Sequence, residues 1–172
     1  TSARHFQASY ERLGITLTPA DLKSESFYNP LLTGVVRELR DKGLAVESDG
    51  AVCVFVPGFS NREGSPLPLI VQKQGGGFGY AATDLAGVRY RTGDLGATRL
   101  LYVVGAPQQQ HLAMVFEVAK LAGWLAGARA EHVAFGSILG ADKKMFKTRA
   151  GENVRLTELL DEAEERALAA VT

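Results

Sequence analysis

The sequence has a single cysteine, no long apolar run and no net charge. Cys53 is the only cysteine, so an intramolecular disulfide is excluded, which suits a reducing cytoplasm. No apolar stretch reaches the roughly 18 residues of a membrane-spanning helix, and no signal peptide is recognisable. Lys and Arg number 19, as do Asp and Glu, so the surface as a whole has no charge excess that favours nucleic acid. These absences predict a cytoplasmic protein without a membrane partner.

What is present is the composition of one globular domain. The chain has 172 residues, of which 46% are hydrophobic and 22% charged, enough for a substantial core. Periodicity predicts a helix over 3–13, a capped turn at 18–21, and a helix that begins with Pro30 at its first position and ends at Gly43. From Gly75 onward, strands and helices alternate, which indicates a parallel sheet. The remaining predicted elements are a hairpin of strands 51–56 and 68–73, strands over 78–81, 100–104 and 131–139, and helices over 83–92, 108–123 and 156–169.

Several side chains have a predicted place in this core. The strand LLYVV (100–104) is apolar throughout, which predicts burial on both faces. Cys53 lies in the run AVCVFV and is expected to be a buried, inert thiol. Trp124 is expected to anchor packing rather than to stack on a ligand, and His132 to support its strand. The inward side of the 108–123 helix is predicted to carry Leu112, Val115, Phe116, Ala119 and Leu121.

A basic segment near the C-terminus, GADKKMFKTRAGENVRL, is the most distinctive part of the sequence. Glycines that flank it allow movement, and its cations could meet the charge that develops on a polyphosphate leaving group. Basic clusters are more often solvated loops, so the pattern alone leaves both interpretations open. The residues concerned are Lys143, Lys144, Lys147 and Arg149, between Gly140 and Gly151.

Four segments follow one another along the chain. They are GGGFGYAATDLAGVRYR (75–91), LLYVVGAPQQQHLAMVFEVAKLAGWL (100–125), EHVAFGSILG and KMFKTRAG. In this order the chain resembles bacterial arginyl-tRNA synthetase, a class I aminoacyl-tRNA synthetase. Residues 144–148 stand where class I enzymes carry Lys-Met-Ser-Lys-Ser. The resemblance implies an α/β fold, namely the second half of a Rossmann-like parallel sheet with helices and a small β-hairpin insertion. Its implied parts are a helical lead-in (1–45), the hairpin insertion (46–74) and a nucleotide-binding half (75–172).

Three polar residues fall at the predicted carboxyl ends of strands, where open parallel sheets bind ligands. A carboxylate (Asp84), a phenol (Tyr80) and a carboxamide (Gln108) can together bind a guanidinium, because the carboxylate accepts two parallel N–H bonds. If a helix has already begun at Tyr80, Tyr80 and Asp84 share one of its faces. The alternative is that Asp84 and Gln108 only cap helices. The resemblance favours the pocket, since the arginine enzymes use Tyr, Asp and Gln at the matching positions.

The resemblance also implies ATP as co-substrate, with Mg²⁺ accompanying it and no metal site in the protein. Lys144 and Lys147 are expected to bind the triphosphate and stabilise the pyrophosphate as it leaves. Gly136 would let backbone approach the adenine. His111 would lie near the nucleotide, although a hydrogen bond to backbone at a helix start is equally open. The implied partners are arginine, ATP and, in the longer enzyme, tRNA.

The chain also departs from the family pattern. The His-x-Gly-His signature of class I enzymes is absent from the sequence and is expected upstream of Thr1. Gly75, Gly105 and Lys143 differ from the residues usual at their positions. The isolated chain is therefore expected to be weakly active or inactive. Two alternatives remain: a stand-alone arginine- or ATP-binding regulatory module, and a half-domain that dimerises or pairs with a missing N-terminal half.

Overall fold

The structure is a computed structural model that describes residues 2–136 and 155–171, with side chains from residue 6 onward. The chain divides into two compact units. The body comprises Lys23–Gly136, and the terminal unit comprises Thr1–Leu22 together with Ser137–Thr172. The basic segment with Lys143, Lys144, Lys147 and Arg149 lies outside the described residues.

The body contains three helices and five strands. Its elements in chain order are α2 (Glu25–Asp41), β1 (Ala45–Ser48), β2 (Ala51–Ser60), β3 (Pro66–Gln72), α3 (Tyr80–Gly93), β4 (Arg99–Gly105), a 3₁₀ turn (Ala106–Gln108), α4 (Gln109–Leu121) and β5 (Arg129–Phe135). The terminal unit contains α1 (Ser2–Arg12), a 3₁₀ turn (Pro19–Asp21) and α5 (Leu156–Val171). The predicted helix at the N-terminus, the capped turn and the C-terminal helix are thus confirmed.

Strands β1, β2 and β3 form an antiparallel sheet in that order. The predicted hairpin is confirmed as β2–β3, but the sequence prediction missed β1. Ser48 pairs with Ala51 across a two-residue turn in which Asp49 and Gly50 both have positive φ, 49° and 74°. Asp-Gly between extended segments is a strong signal for such a turn, so this strand was readable from the sequence.

Strands β4 and β5 form the parallel pair that the alternating pattern predicts. The prediction that β4 is buried on both faces is wrong. One face packs inward with Leu100 buried, while the opposite face is exposed. The apolar side chains on that outer face, with their exposed fractions, are Leu101 (51%), Val103 (64%), Val133 (45%) and Phe135 (56%).

The core of the body lies between its helices and the antiparallel sheet. Side chains that are fully buried there include Val35, Leu39, Val54, Val71, Leu85, Val88, Val115 and Val118. Helix α3 packs against both α2 and α4. On α4, Leu112, Val115 and Ala119 are buried as predicted, Phe116 is partly buried, and Leu121 is exposed. The inward prediction for Leu121 is therefore wrong.

Two other predictions, the start of the helix at Pro30 and the strand over 78–81, are also wrong. Pro30 lies inside α2, which begins five residues earlier at Glu25 after Ser24. The first turn of α2 is held by tertiary contact, because Tyr28 is buried and its ring meets those of Phe27 and Tyr90 at 5.1 and 6.1 Å. The strand predicted over 78–81 is absent as well, since only an isolated bridge joins Phe78 to Gln72.

Candidate functional site

The start of α3 places Tyr80 and Asp84 on one side of a helix. The glycine-rich turn before it is closed by the Lys73 N–H, which donates to the Gly77 carbonyl at 2.7 Å. Gly79 then has extended backbone and is the residue before α3, so Tyr80 is the first residue of the helix. Residues four apart are neighbours on a helix surface. The shared face that the sequence made conditional on an early helix start is therefore present.

His111 joins these two residues. Its Nε2 lies 2.6 Å from Oδ2 of Asp84, and its ring meets the ring of Tyr80 edge-on, with centroids 4.7 Å apart and an interplanar angle of 67°. The imidazole is largely buried and the carboxylate partly exposed, whereas Tyr80 is 70% exposed. The structure thus brings together an open phenol, an imidazole and a carboxylate where α3 meets α4.

The hydrogen-bond partner of His111 differs from the one expected in one of the two interpretations of this residue. A hydrogen bond from His111 to backbone at a helix start was one of the two interpretations, but the partner is the Asp84 carboxylate, 27 residues away in sequence. An ionised carboxylate only accepts hydrogen bonds, so Nε2 carries a hydrogen and donates. The expectation that His111 lies near the nucleotide stays a prediction.

The helix-cap alternative is wrong for Asp84, whereas Gln108 occupies the cap position of α4 without capping it through its side chain. Asp84 is the fifth residue of α3 and not its cap. Gln108 is the residue before α4, but its side chain makes no cap hydrogen bond there. Its amide is exposed and has no hydrogen-bond partner within the part of the chain that the structure describes. Gln108 lies three residues before His111, a spacing that makes neighbours on a helix surface.

A cavity of about 320 Å³ opens beside Tyr80 and His111. Its walls come from β3 and from the first turns of α3 and α4, and they include Leu67, Lys73 and Met114. Tyr80 also lines a second depression, together with Glu25, Asn29 and Thr83 among others. The exposed Tyr80 side chain therefore borders two cavities of the body.

Two further predicted residues, His132 and Gly136, lie on β5 and directly after it. Gly136 follows the end of β5, next to the Gly105–Phe135 pair, and a side chain added there would meet no atom of the described residues within 4 Å. Its predicted approach to adenine stays a prediction. Nε2 of His132 donates to the Val104 carbonyl oxygen at 2.8 Å, since a carbonyl oxygen only accepts. The expectation that His132 supports its strand agrees with this contact.

Trp124 and Cys53 have the surroundings expected of packing residues. The indole Nε1 of Trp124 donates to Glu38 Oε1 at 2.7 Å, and the ring packs against the core. Cys53 is buried, and that burial raises the pKa of its thiol, with a smaller contribution from the Asp49 carboxylate. A raised thiol pKa disfavours the reactive thiolate.

The structure assigns no metal centre or membrane segment to the residues it describes. Across 2–136 and 155–171, no group of three or more His, Cys, Asp or Glu side chains is placed to hold a metal ion. Within the same ranges, no helix has the length and apolar character to cross a membrane.

The body thus combines a parallel β4–β5 pair with polar residues near the starts of α3 and α4. A family model described as tRNA synthetases class I (R), catalytic domain, matches residues 1–172. The chain belongs to this family.

Individual relatives agree. The chain is 56% identical over 167 residues to the arginine–tRNA ligase of Thermobifida fusca, which covers 97% of this chain and 29% of that protein. It is 55% identical over 171 residues to that of Azotobacter vinelandii, covering 99% and 30%. The chain therefore spans less than a third of the length of these relatives.

Solved structures show the same fold. The arginyl-tRNA synthetase of Plasmodium falciparum superposes with a TM-score of 0.79 at 30% identity, covering 99% of this chain and 26% of that one. The Thermus thermophilus arginyl-tRNA synthetase, at 22% identity and a TM-score of 0.63, covers 83% and 29% and shows the fold alone.

Proposed function

We propose that the chain is part of an arginine–tRNA ligase catalytic domain, which activates arginine with ATP to arginyl-adenylate and transfers the arginyl group to tRNA. The observation that carries this proposal is the carboxylate of Asp84. Its Oδ2 is bonded to His111, whose ring in turn packs against the exposed ring of Tyr80. Its Oδ1 accepts no hydrogen bond from the described residues, so acceptor capacity remains for a ligand.

A guanidinium matches that capacity. Asp84 would accept N–H bonds from the planar fork, while the Tyr80 hydroxyl and the Gln108 amide oxygen would accept the remaining donors. Lysine has no planar fork, so it would leave some of these acceptors without a partner. Tyr80, Asp84 and Gln108 are thus proposed to select arginine.

The chemistry proposed for this site needs no covalent nucleophile. The arginine carboxylate attacks the α-phosphate of ATP in line, and the protein supplies position and charge. Lys144 and Lys147 are proposed to bind the triphosphate and to stabilise the pyrophosphate, and Gly136 and His111 to lie beside the nucleotide. Mg²⁺ would accompany the phosphates of ATP, which are oxygen ligands of the kind it prefers. A cytoplasmic location remains a prediction from the lone cysteine and the family.

Binding of arginine to the 172-residue chain tests the pocket. We expect L-arginine to shift the NMR signals of Tyr80 and His111 in a saturable way, with affinity on the order of millimolar because few groups contact the ligand. Asp84→Asn should abolish the shifts, and L-lysine should not reproduce them. No saturable change with arginine, or equal changes with lysine, would overturn the proposed pocket.

Activity is tested in a longer enzyme. The chain alone lacks a His-x-Gly-His sequence, so we expect little or no arginine-dependent ATP–pyrophosphate exchange from it. Exchange should appear when the chain replaces the matching 167 residues of the Thermobifida fusca ligase, and Asp84→Asn should remove it. A folded graft that charges no arginine would contradict the proposal.

The outer face of β4–β5 favours a second candidate, a half-domain that pairs with further polypeptide. Two exposed apolar side chains from each strand form one continuous surface, because Val103 is directly paired with Val133. Contiguous apolar surface of this kind marks contact sites. The isolated chain is expected to self-associate in sedimentation runs as its concentration rises, and Val103→Asp should abolish this. Val46→Asp, at an exposed site on β1, is the matched control. A monomer at all concentrations would argue against this candidate.

A further inference from the structure

His111 holds one oxygen of Asp84 and leaves the other without a protein partner among the described residues. The Nε2–Oδ2 distance is 2.6 Å, within hydrogen-bond reach, and hydrogen bonds to a charged acceptor are shorter and stronger than neutral ones. A carboxylate has about four lone-pair sites. Asp84 can therefore keep this bond and still accept N–H bonds from a ligand.

The imidazole is itself held in place. His111 lies on α4 and is followed there by the buried residues Leu112, Met114 and Val115. The ring of Tyr80 packs edge-on against it, an arrangement that aromatic pairs prefer. The imidazole and the carboxylate are carried by α4 and α3, two helices that pack together.

Two roles fit an imidazole at this place. It could stand in for a guanidinium and be displaced when arginine arrives, or it could orient the carboxylate and remain. The buried position of the ring and its contact with Tyr80 favour the second role. The two roles predict opposite effects on arginine affinity when the imidazole donor is removed.

We propose that His111 is a positioning residue for arginine: Nε2–H donates to Oδ2 of Asp84, fixes the plane of that carboxylate, and leaves Oδ1 and the second lone pair of Oδ2 to receive the two N–H bonds of the guanidinium. This inference depends on the proposed arginine pocket. A carboxylate of fixed orientation favours a planar, forked donor over a simple cation, since only the fork can use two parallel bonds. His111 would therefore contribute to the choice of arginine over lysine without touching the substrate.

Arginine titrations of the 172-residue chain, followed by NMR, test the role with two substitutions. His111→Gln keeps an Nε2 donor at similar reach and should bind arginine like the wild type. His111→Asn keeps polarity but is too short to reach Asp84, and should weaken arginine binding about tenfold, as expected for loss of a bond to a charged group. His132→Asn, on β5 and bonded to backbone, is the control and should leave arginine affinity unchanged.

The outcomes separate the possible roles. Unchanged arginine affinity in His111→Asn overturns the positioning role, and tighter binding identifies His111 as a displaced stand-in. Weaker ATP binding with unchanged arginine binding assigns His111 to the nucleotide instead. Asp84→Asn serves as the reference. If it has no effect on arginine, the proposed pocket fails together with this inference; if it abolishes binding while His111→Asn does not weaken it, only the inference fails.

Discussion

The body and the terminal unit are stabilised by different forces. The body has a continuous core of buried aliphatic side chains, whereas no described side chain of the terminal unit, over 6–22 and 155–171, is buried. Its two segments are instead joined by exposed ion pairs: Arg12 contacts Asp161 at 2.6 Å and Glu164 at 3.1 Å. Burial of apolar area stabilises far more than exposed ion pairs do. The proposed arginine pocket therefore lies in the unit that has its own core.

A mutation that creates a cavity in the core of the body should cause the largest loss of stability. Leu85 is fully buried in α3, one residue after Asp84, so Leu85→Ala removes packing directly beneath the site. We expect a loss of about 2–5 kcal/mol in the free energy of unfolding, measured by urea denaturation. The matched control is Leu121→Ala on α4, where the side chain is half-exposed. Equal losses at the two positions would show that the core does not extend as described.

Removal of the hydrogen bond between Trp124 and Glu38 should cause the next largest loss of stability. Trp124→Phe keeps most of the ring but removes the Nε1 donor to Glu38 Oε1. The expected cost is about 1.5–3 kcal/mol, because the acceptor is charged. Arg89 still contacts the same carboxylate at 3.0 Å, which should hold the loss near the lower end. A double-mutant cycle with Glu38→Ala, which removes the acceptor, would isolate the bond, and zero coupling would contradict the described geometry.

Alkaline pH should destabilise the body through Tyr102. Burial raises the pKa of its phenol, opposed by the nearby guanidinium of Arg91, which donates to the hydroxyl at 2.7 Å. Because the folded state holds this proton more tightly than the unfolded state, the stabilisation is complete below about pH 10 and is lost as pH rises through the folded pKa.

Tyr102→Phe checks that assignment, since it removes the titrating group. The variant should lose less stability between neutral pH and pH 11 than the wild type does, in thermal melts recorded at each pH. Tyr10→Phe in the terminal unit is the control. Identical pH profiles for Tyr102→Phe and the wild type would refute the role of the buried phenol.

Local patterns predicted much of the body from the sequence. The hairpin, the parallel pair and helix α4 follow from short-range periodicity and turn residues. Three of the errors have a clear physical cause, and in the first two of them tertiary contacts override local preference. Pro30 lies inside α2 because Tyr28 extends the helix toward the N-terminus. The apolar strand β4 is exposed on one face because its neighbours cover only the other. Tyr80 begins a helix because the glycine turn ends at Gly79.

The candidate site was predictable only in part. Asp84 and Tyr80 are four residues apart, so a helix start alone makes them neighbours. The contact between Asp84 and His111 joins α3 to α4 across 27 residues, and no local pattern encodes it. A sequence therefore indicates which groups suit a guanidinium, whereas the packing of α3 on α4 determines which of them are already bonded to each other.

Removal of the ion pairs of the terminal unit should have the smallest effect. Neighbouring Asp161 and Glu164 raise the pKa of Arg12, but the group is at the surface, where salt screens such pairs. Arg12→Gln should leave the unfolding midpoint of the body unchanged and should remove only a salt-dependent part of the helical circular dichroism signal. Arg40→Gln, which removes an exposed pair with Glu47 in the body, is the matched control. If Arg12→Gln lowered the unfolding midpoint of the body as much as Leu85→Ala does, the two units would unfold together. The conclusion that different forces stabilise them would then be wrong.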